Sequence, residues 1–263
     1  MTRQLDGPRL EPPGRSASAL VVLLHGYGAN GDDLIALGDG WRQWLPDAAF
    51  VAPNAPEAIP GMYGGLQWFP LTLRDPSERW RGVVAAQPTL DRFLDTELAR
   101  YRLSPSRLVL VGFSQGTMMA LHVGLRRPAA PAGIVAYSGL LAGPEHLGET
   151  TARPPIQLIH GEADDLIPVE ALNAGREALA SAGLLVEWHV RPGLGHGIDA
   201  EGQFMAAHFI AEVAQVSRTT QIRVLHPWFG CGFTSRTHMV SMAPLRKGQA
   251  LIRLEEDDRT TSP

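Results

Sequence analysis

The chain has little cysteine and no strong excess of charge. Its single cysteine, Cys231, excludes an internal disulfide and any zinc site that is built from several cysteines. The 23 basic and 27 acidic residues give a formal net charge of −4, which provides no basic surface for nucleic acid or for an anionic membrane. Chemistry on a small molecule, with no nucleic-acid partner, is therefore the expected class of function.

Long hydrophobic runs are also missing. Residues 1–18 are polar and contain three prolines, so they lack the apolar core of a signal peptide. The first apolar run, Ala19–Leu24, has six residues, whereas a helix that spans a bilayer needs about 20. These features predict a cytoplasmic protein with no stable membrane insertion.

What the chain does contain is a regular alternation of strand-like and helix-like segments. Short apolar runs rich in Val, Leu and Ile predict strands that are buried on both faces, and the longer amphipathic stretches predict helices. The predicted strands are residues 19–25, 48–52, 107–112, 133–137, 156–160 and 185–190, and the predicted helices are residues 32–44, 83–102, 115–126, 169–182 and 200–216. This order is typical of an α/β fold with a mostly parallel, doubly wound sheet and helices on both faces.

The alternation covers only part of the chain. We expect one domain over residues 19–216, preceded by an N-terminal extension at 1–18. Residues 217–263 hold the single cysteine and the single lysine, and they match no part of the strand and helix pattern. We expect this C-terminal extension to be poorly ordered.

Four glycine-flanked polar segments follow predicted strands, where a parallel sheet places its ligands. They are residues 25–28, 112–116, 160–165 and 193–197. The second segment has the pattern Gly-x-Ser-x-Gly around Ser114, between a strand and a helix. A sharp turn of this kind exposes a serine nucleophile, and the glycines relieve crowding around it. The alternative is a serine that caps the helix beside two close-packed glycines.

A serine hydroxyl is a weak nucleophile near neutral pH, so it needs a base and a group that orients the base. His196 and Asp164 lie in two of the other segments, and the order Ser114, Asp164, His196 is the one that triads on this kind of sheet follow. The developing oxyanion needs backbone donors, for which the amides of Gln115 and Tyr27 are the candidates. No His-Glu-x-x-His or similar pattern of metal ligands occurs, so neither a metal nor a cofactor is expected.

Six stretches of the sequence carry a family resemblance. They are His25-Gly26-Tyr27-Gly28-Ala29-Asn30-Gly31-Asp32-Asp33-Leu34, Gln67-Trp68-Phe69, Gly112-Phe113-Ser114-Gln115-Gly116, Ser138-Gly139, His160-Gly161-Glu162-Ala163-Asp164-Asp165-Leu166-Ile167-Pro168 and Gly195-His196-Gly197-Ile198. Together they resemble the phospholipase/carboxylesterase family of α/β-hydrolases, which includes bacterial carboxylesterases, lysophospholipases and acyl-protein thioesterases. The resemblance implies Ser114 as nucleophile, His196 as general base and acid, and Asp164 as the orienting carboxylate. It also implies that the amides of Tyr27 and Gln115 bind the oxyanion.

Two departures from the family pattern bear on the site. The family often has Asp-x-Asp-Pro where this chain has Glu162-Ala163-Asp164-Asp165, so Asp165 competes with Asp164 for the orienting role. The match of residues 162–165 to the family pattern favours Asp164. The residue after Gly116 is often a further glycine in the family and is Thr117 here, which suits the first turn of a helix.

Residues 53–81 form a proline-rich segment that also contains large apolar side chains. Trp68 and Phe69 in this segment either bind the substrate in an acyl pocket, as the resemblance favours, or anchor the loop to the core. His25 and His160 each end a predicted strand beside a glycine. The resemblance implies that these two histidines support loop geometry.

The sequence therefore predicts a serine hydrolase that cleaves carboxylic esters with short- to medium-chain acyl groups through an acyl-enzyme. A lysophospholipase or an acyl-protein thioesterase is the alternative, because the same catalytic groups cleave those substrates. A non-catalytic α/β-hydrolase-like binding protein is the alternative from another class, with the C-terminal extension as a contact segment. The expected partner is a small-molecule ester, and a homodimer is left open.

Overall fold

The computed structural model of the chain describes residues 4–14, 16–72, 75 and 77–215. Over these residues the strands are β1 Arg9–Leu10, β2 Ala19–Leu24, β3 Ala48–Val51, β4 Glu57–Ala58, β5 Leu66–Gln67, β6 Leu108–Phe113, β7 Gly133–Tyr137, β8 Ile156–Gly161 and β9 Val186–Arg191. The α-helices are α1 Gly31–Trp41, α2 Ser77–Tyr101, α3 Gln115–Gly124, α4 Glu170–Ser181 and α5 Ala200–Val213, with 3₁₀ turns at Pro105–Arg107 and Pro144–Glu149. The predicted C-terminal extension, residues 217–263, lies outside the described residues.

One sheet forms the centre of the described domain. Its seven strands run in the order β1-β3-β2-β6-β7-β8-β9, and every neighbouring pair is parallel except β1 with β3. The predicted mostly parallel sheet is therefore confirmed. Because parallel strands all end at the same edge, the turns after β2, β6, β8 and β9 lie along one side of the sheet.

The sheet separates two hydrophobic cores, because successive side chains of a strand point to opposite faces. On β2, Leu20, Val22 and Leu24 belong to the core that contains α2, α3 and α4. Val21 and Leu23 belong to the second core, with α1 and α5. Helices thus cover both faces, as the sequence predicts, and this explains why the central strands have no polar face.

Several short elements escape the sequence prediction. Arg9–Leu10, within the predicted N-terminal extension, pairs antiparallel with β3 at the edge of the sheet. β4 and β5 form a small hairpin inside the proline-rich segment, and α2 begins at Ser77 rather than at residue 83. A two-residue strand is too short to show alternation, and the first turn of α2 carries no apolar stripe that would mark its start. Among the described helices, none is long and apolar enough to cross a membrane.

Candidate active site

Ser114 lies on a sharp turn between β6 and α3. Its backbone has φ 55° and ψ −114°, which is strained for a residue with a side chain, and its amide donates to the carbonyl of Tyr137 on the neighbouring strand β7. A Cβ on Gly116 would clash with the carbonyl oxygen of Leu24, and one on Gly112 would clash with the carbonyl of Gly116. The glycines are therefore required by close backbone contacts around the serine.

The hydroxyl of Ser114 does not cap α3 through a hydrogen bond. Ser114 occupies the N-cap position of α3, but its side chain makes no capping hydrogen bond, which argues against the alternative interpretation of the serine as a helix cap. Within the described part of the chain the hydroxyl makes no hydrogen bond at all, and the residue is 8% exposed. The turn thus presents an uncommitted hydroxyl at the edge of the sheet where the other polar segments end.

Asp164 and His196 are brought together from the turns after β8 and β9. The Nδ1 atom of His196 lies 2.8 Å from Oδ2 of Asp164, whose carboxylate is fully buried. A carboxylate only accepts, so Nδ1 carries the proton and Nε2 keeps its lone pair for a second partner. The neighbouring Asp165 is exposed to solvent and is not the partner of His196.

The carboxylate of Asp164 is held in its charged form. Burial raises the pKa of the carboxyl, but hydrogen bonds from the Ile167 amide (2.9 Å), from His196 and from the Leu166 amide (3.0 Å) outweigh burial and bring the pKa below 3.8. Asp164 is therefore ionised wherever an imidazole titrates, and it can hold the Nδ1 proton of His196 throughout.

Two contacts hold the segment that carries His196 against the serine turn. The ring of Phe113, the residue before Ser114, lies 4.9 Å from the ring of His196 between centroids. The hydroxyl of Ser138, at the end of β7, donates to the carbonyl of Gly197 over 3.2 Å. These contacts join the segment of His196 to the residue before Ser114 and to the end of β7, and among the described residues no hydrogen bond links the imidazole to the Ser114 hydroxyl. Such bonds are often loose before substrate binds.

The loop after β2 passes over the serine turn. A Cβ on Gly26 would lie 3.2 Å from Cβ of Ser114, a contact tighter than most, so the glycine lets the loop backbone approach the serine closely. The amide of Gly28 donates to the carbonyl of Leu66 on β5, which fixes the far side of the loop. The amides of Tyr27 and Gln115 make no hydrogen bond within the described residues, so both can donate to a ligand.

Trp68 and Phe69 are buried in the core, each with 2% of its surface exposed. The side chain of Gln115 ties them down, because its oxygen accepts from the Trp68 amide (2.9 Å) and its nitrogen donates to the Phe69 carbonyl (2.8 Å). The Trp68 indole donates to the carbonyl of His25. This burial favours the second interpretation, in which both residues anchor the loop to the core.

Both strand-end histidines contact the site loops. His25 Nδ1 lies 2.8 Å from the Gly26 carbonyl and its Nε2 accepts from the Ala55 amide, so the ring is neutral, and burial lowers its pKa. His160 Nε2 lies 2.7 Å from the Ile167 carbonyl and 3.3 Å from Oδ2 of Asp164. Sequence reasoning did not predict that His160 contacts the carboxylate of Asp164.

Arg191, at the end of β9, bridges the two ends of the segment that carries His196. Its guanidinium donates to Asp199 over 2.9 Å and also binds Glu201. Asp199 in turn caps α5 by accepting from the Gly202 amide over 2.7 Å. Both ends of residues 192–199 are therefore fixed by one buried side chain, which the sequence reasoning also missed.

A mostly parallel sheet whose central strand ends in a strained serine turn, with an Asp–His pair at the same edge of the sheet, is typical of the α/β-hydrolase class. The family model described as phospholipase/carboxylesterase matches residues 5–214, and the chain belongs to that family. The resemblance predicted from the sequence is confirmed.

Similar proteins carry hydrolase names. Esterase YpfH of Escherichia coli is 31% identical over 201 residues, which cover 76% of this chain and 85% of that protein. An acyl-protein thioesterase 1 of Gibberella zeae is 27% identical over 207 residues, covering 72% of this chain and 88% of the relative. The crystal structure of esterase PE8 superposes with a TM-score of 0.77 at 44% identity, covering 80% of this chain and all of that one. The protein is therefore a hydrolase enzyme.

Proposed function

We propose that the protein hydrolyses carboxylic esters through an acyl-enzyme formed on Ser114. The observation that carries this proposal is the Asp164–His196 pair, joined over 2.8 Å at the sheet edge where the strained turn of Ser114 also lies, together with a Ser114 hydroxyl that makes no hydrogen bond within the described residues. A serine, an imidazole and a carboxylate in this relation are the three groups that activate an alcohol nucleophile at neutral pH.

Acylation begins when Oγ of Ser114 attacks the ester carbonyl carbon and Nε2 of His196 takes the hydroxyl proton. The carbonyl oxygen becomes an oxyanion, to which the amides of Tyr27 and Gln115 donate. Asp164 stabilises the imidazolium that has formed. As the tetrahedral intermediate collapses, His196 returns the proton to the ester oxygen, the C–O bond breaks and the alcohol leaves.

Deacylation repeats these steps with water in place of the serine. His196 takes a proton from the water, which attacks the acyl carbon of the ester on Ser114. The second tetrahedral intermediate collapses, His196 protonates Oγ of Ser114, and the carboxylic acid is released. No cofactor enters this scheme.

The proposed substrates are small esters with short- to medium-chain acyl groups. The cleft next to the serine turn has about 340 Å³, near the small end of the range for ligand pockets, which supports a substrate of modest total size. Because relatives include acyl-protein thioesterases, the substrate series should pair oxygen esters of increasing acyl length with one acyl thioester and one lysophospholipid. Fastest turnover of either of the last two would replace the proposed substrate class.

A fluorophosphonate probe tests the nucleophile. We expect covalent labelling and ester hydrolysis by the wild type, no labelling of Ser114→Ala, and a loss of hydrolysis by at least about 10⁴-fold in that variant. Ser181→Ala, at an exposed position at the end of α4, is the matched control and should be labelled like the wild type. An unlabelled wild type, or equal labelling of Ser114→Ala, would instead support a non-catalytic binding protein.

A further inference from the structure

A cleft of about 340 Å³ lies between α1 and the segment that leads into α5. It adjoins the serine turn, because Gly26 and Phe113 line it and both are neighbours of Ser114. Leu34 and Leu37 of α1 form one wall, and Ile198, two residues after His196, lies on another. At the far end α5 contributes Gln203.

The position of the cleft relative to His196 decides which part of an ester it can hold. Phe113, in its lining, contacts the His196 ring at 4.9 Å, and Ile198 continues the backbone of the same segment. In the proposed reaction Nε2 of His196 must return its proton to the ester oxygen that leaves with the alcohol. The alcohol therefore has to occupy the space on the imidazole side of Ser114.

We infer that this cleft is the leaving-group subsite and that it binds the apolar alcohol part of an ester substrate. The inference rests on the proposed function, because a leaving group exists only if Ser114 is acylated. The acyl chain then extends from the opposite side of the serine.

The lining explains why the ligand should be apolar. Its carboxylate, Asp33, accepts from the Asn30 amide at 3.0 Å as part of the cap of α1. Both ring nitrogens of His25 are bonded to backbone groups. These polar groups already have partners within the protein. Of the other lining side chains only Gln203 is polar, so the surface offered to a ligand is chiefly that of the aliphatic and aromatic side chains.

Two pairs of esters separate the two sides of the serine. Ethyl acetate and 1-naphthyl acetate share an acyl group and differ in the alcohol, whereas ethyl acetate and ethyl octanoate share the alcohol and differ in the acyl chain. The quantity to compare is kcat/KM, because it reports acylation, the step in which the leaving group is still attached. Deacylation of a common acetyl-enzyme is the same for both acetates.

The test substitutes the half-buried Leu37 on the wall of the cleft. Leu37→Trp narrows the cleft, and we expect it to lower kcat/KM for 1-naphthyl acetate relative to ethyl acetate by about tenfold. The ratio for ethyl octanoate over ethyl acetate should stay within about twofold of the wild type. Leu37→Ala, which enlarges the cleft, should raise the naphthyl-to-ethyl ratio and leave the octanoate ratio unchanged.

Asp39→Trp is the matched control, because it adds the same bulk to the exposed face of α1 and does not line the cleft. Unchanged ratios in both Leu37 variants, or a change in the octanoate ratio alone, would overturn the subsite assignment. In those outcomes the wild type still hydrolyses esters and binds the fluorophosphonate probe. A wild type that does neither refutes the proposed function itself, and the subsite with it.

Discussion

Asp164 is the residue whose surroundings most narrowly define the chemistry of the site. Its two oxygens accept from two backbone amides and from His196, and Nε2 of His160 lies 3.3 Å from Oδ2. These donors lower the pKa of Asp164 in the folded protein. Their contribution to the free energy of unfolding is therefore complete at pH values above 3.8, the ordinary pKa of the carboxyl, and is lost as the pH falls through the lower pKa of the folded state. At neutral pH the carboxylate is a fixed acceptor.

Replacing this acceptor should impair catalysis far more than folding. In Asp164→Asn an amide NH₂ can face Nδ1 of His196 and force the wrong tautomer, so we expect kcat for ester hydrolysis to fall by about 10³- to 10⁴-fold. Asp165→Asn, one position along and exposed, is the matched control and should retain a kcat close to the wild type. Initial rates and circular dichroism check both variants. A severe loss confined to Asp165→Asn would contradict the assignment of the orienting carboxylate.

The positions of Ser114, Asp164 and His196 could be predicted because each follows a strand that an apolar run marks in the sequence. Gln115 could be predicted as a backbone donor, but its side-chain bonds join residues 46 and 47 positions apart in the chain. No local pattern shows such a partner. The same limit applies to Trp68 and Phe69, since an aromatic pair in a loop is equally compatible with a pocket wall and with an anchor.

Among the elements, the segment between β9 and α5 is the one that positions the general base. Arg191 holds both of its ends through the ion pairs with Asp199 and Glu201. The guanidinium is largely buried, so these pairs are screened from water less than surface pairs are.

Removing this clamp should affect both stability and turnover. We expect Arg191→Met to lower the free energy of unfolding by about 1–3 kcal/mol, because Asp199 and Glu201 lose their partner while partly buried. Displacement of His196 should lower kcat by about tenfold with KM little changed. Urea unfolding and steady-state kinetics measure the two effects.

Arg176→Met is the control for the clamp, because Arg176 pairs with the exposed Glu177 on α4. It should leave kcat unchanged. If Arg191→Met and Arg176→Met gave the same kcat, Arg191 would have only a structural role.

The central strands of the sheet could be predicted from the sequence, because strands that are buried on both faces are continuously apolar. β1, β4 and β5 could not, since each has two residues and owes its existence to a partner strand rather than to its own side chains. The start of α2 was missed for a related reason. Its first turn is polar, and the amphipathic pattern begins only near Val83, which is buried.

At the scale of the whole molecule, an ion pair joins the N-terminal strand β1 to the C-terminal part of α2. Arg9 on β1 makes a two-pronged contact with the buried carboxylate of Glu97, at 2.9 and 2.8 Å. Arg100 lies 3.3 Å from the same carboxylate. The family match also begins at residue 5, ahead of β1. The sequence predicts a domain that starts at residue 19, because the first apolar run begins there. The contact between Arg9 and Glu97 could not enter that prediction, because it joins residues 88 positions apart.

Breaking this ion pair should destabilise the domain. We expect Arg9→Met to lower the free energy of unfolding by about 1–3 kcal/mol, because Glu97 remains buried with only Arg100 to balance its charge. Arg42→Met removes an exposed ion pair with Asp39 and should cost no more than about 0.5 kcal/mol. Urea denaturation of the two variants in parallel would show the difference. Equal midpoints would mean that β1 contributes little to the stability of the domain.

The division of the interior into two cores has a consequence for directed evolution of this enzyme. The helix that follows the nucleophile packs in the core with α2 and α4, whereas α1 and α5, which border the cleft, pack on the other side of the sheet. A substitution library confined to the cleft-lining positions of α1 would therefore vary the surface of the cleft while leaving the packing of α3 against α2 and α4 unchanged. Substitutions in α1 should combine almost additively with substitutions in α2 or α4, because the two sets lie in separate cores.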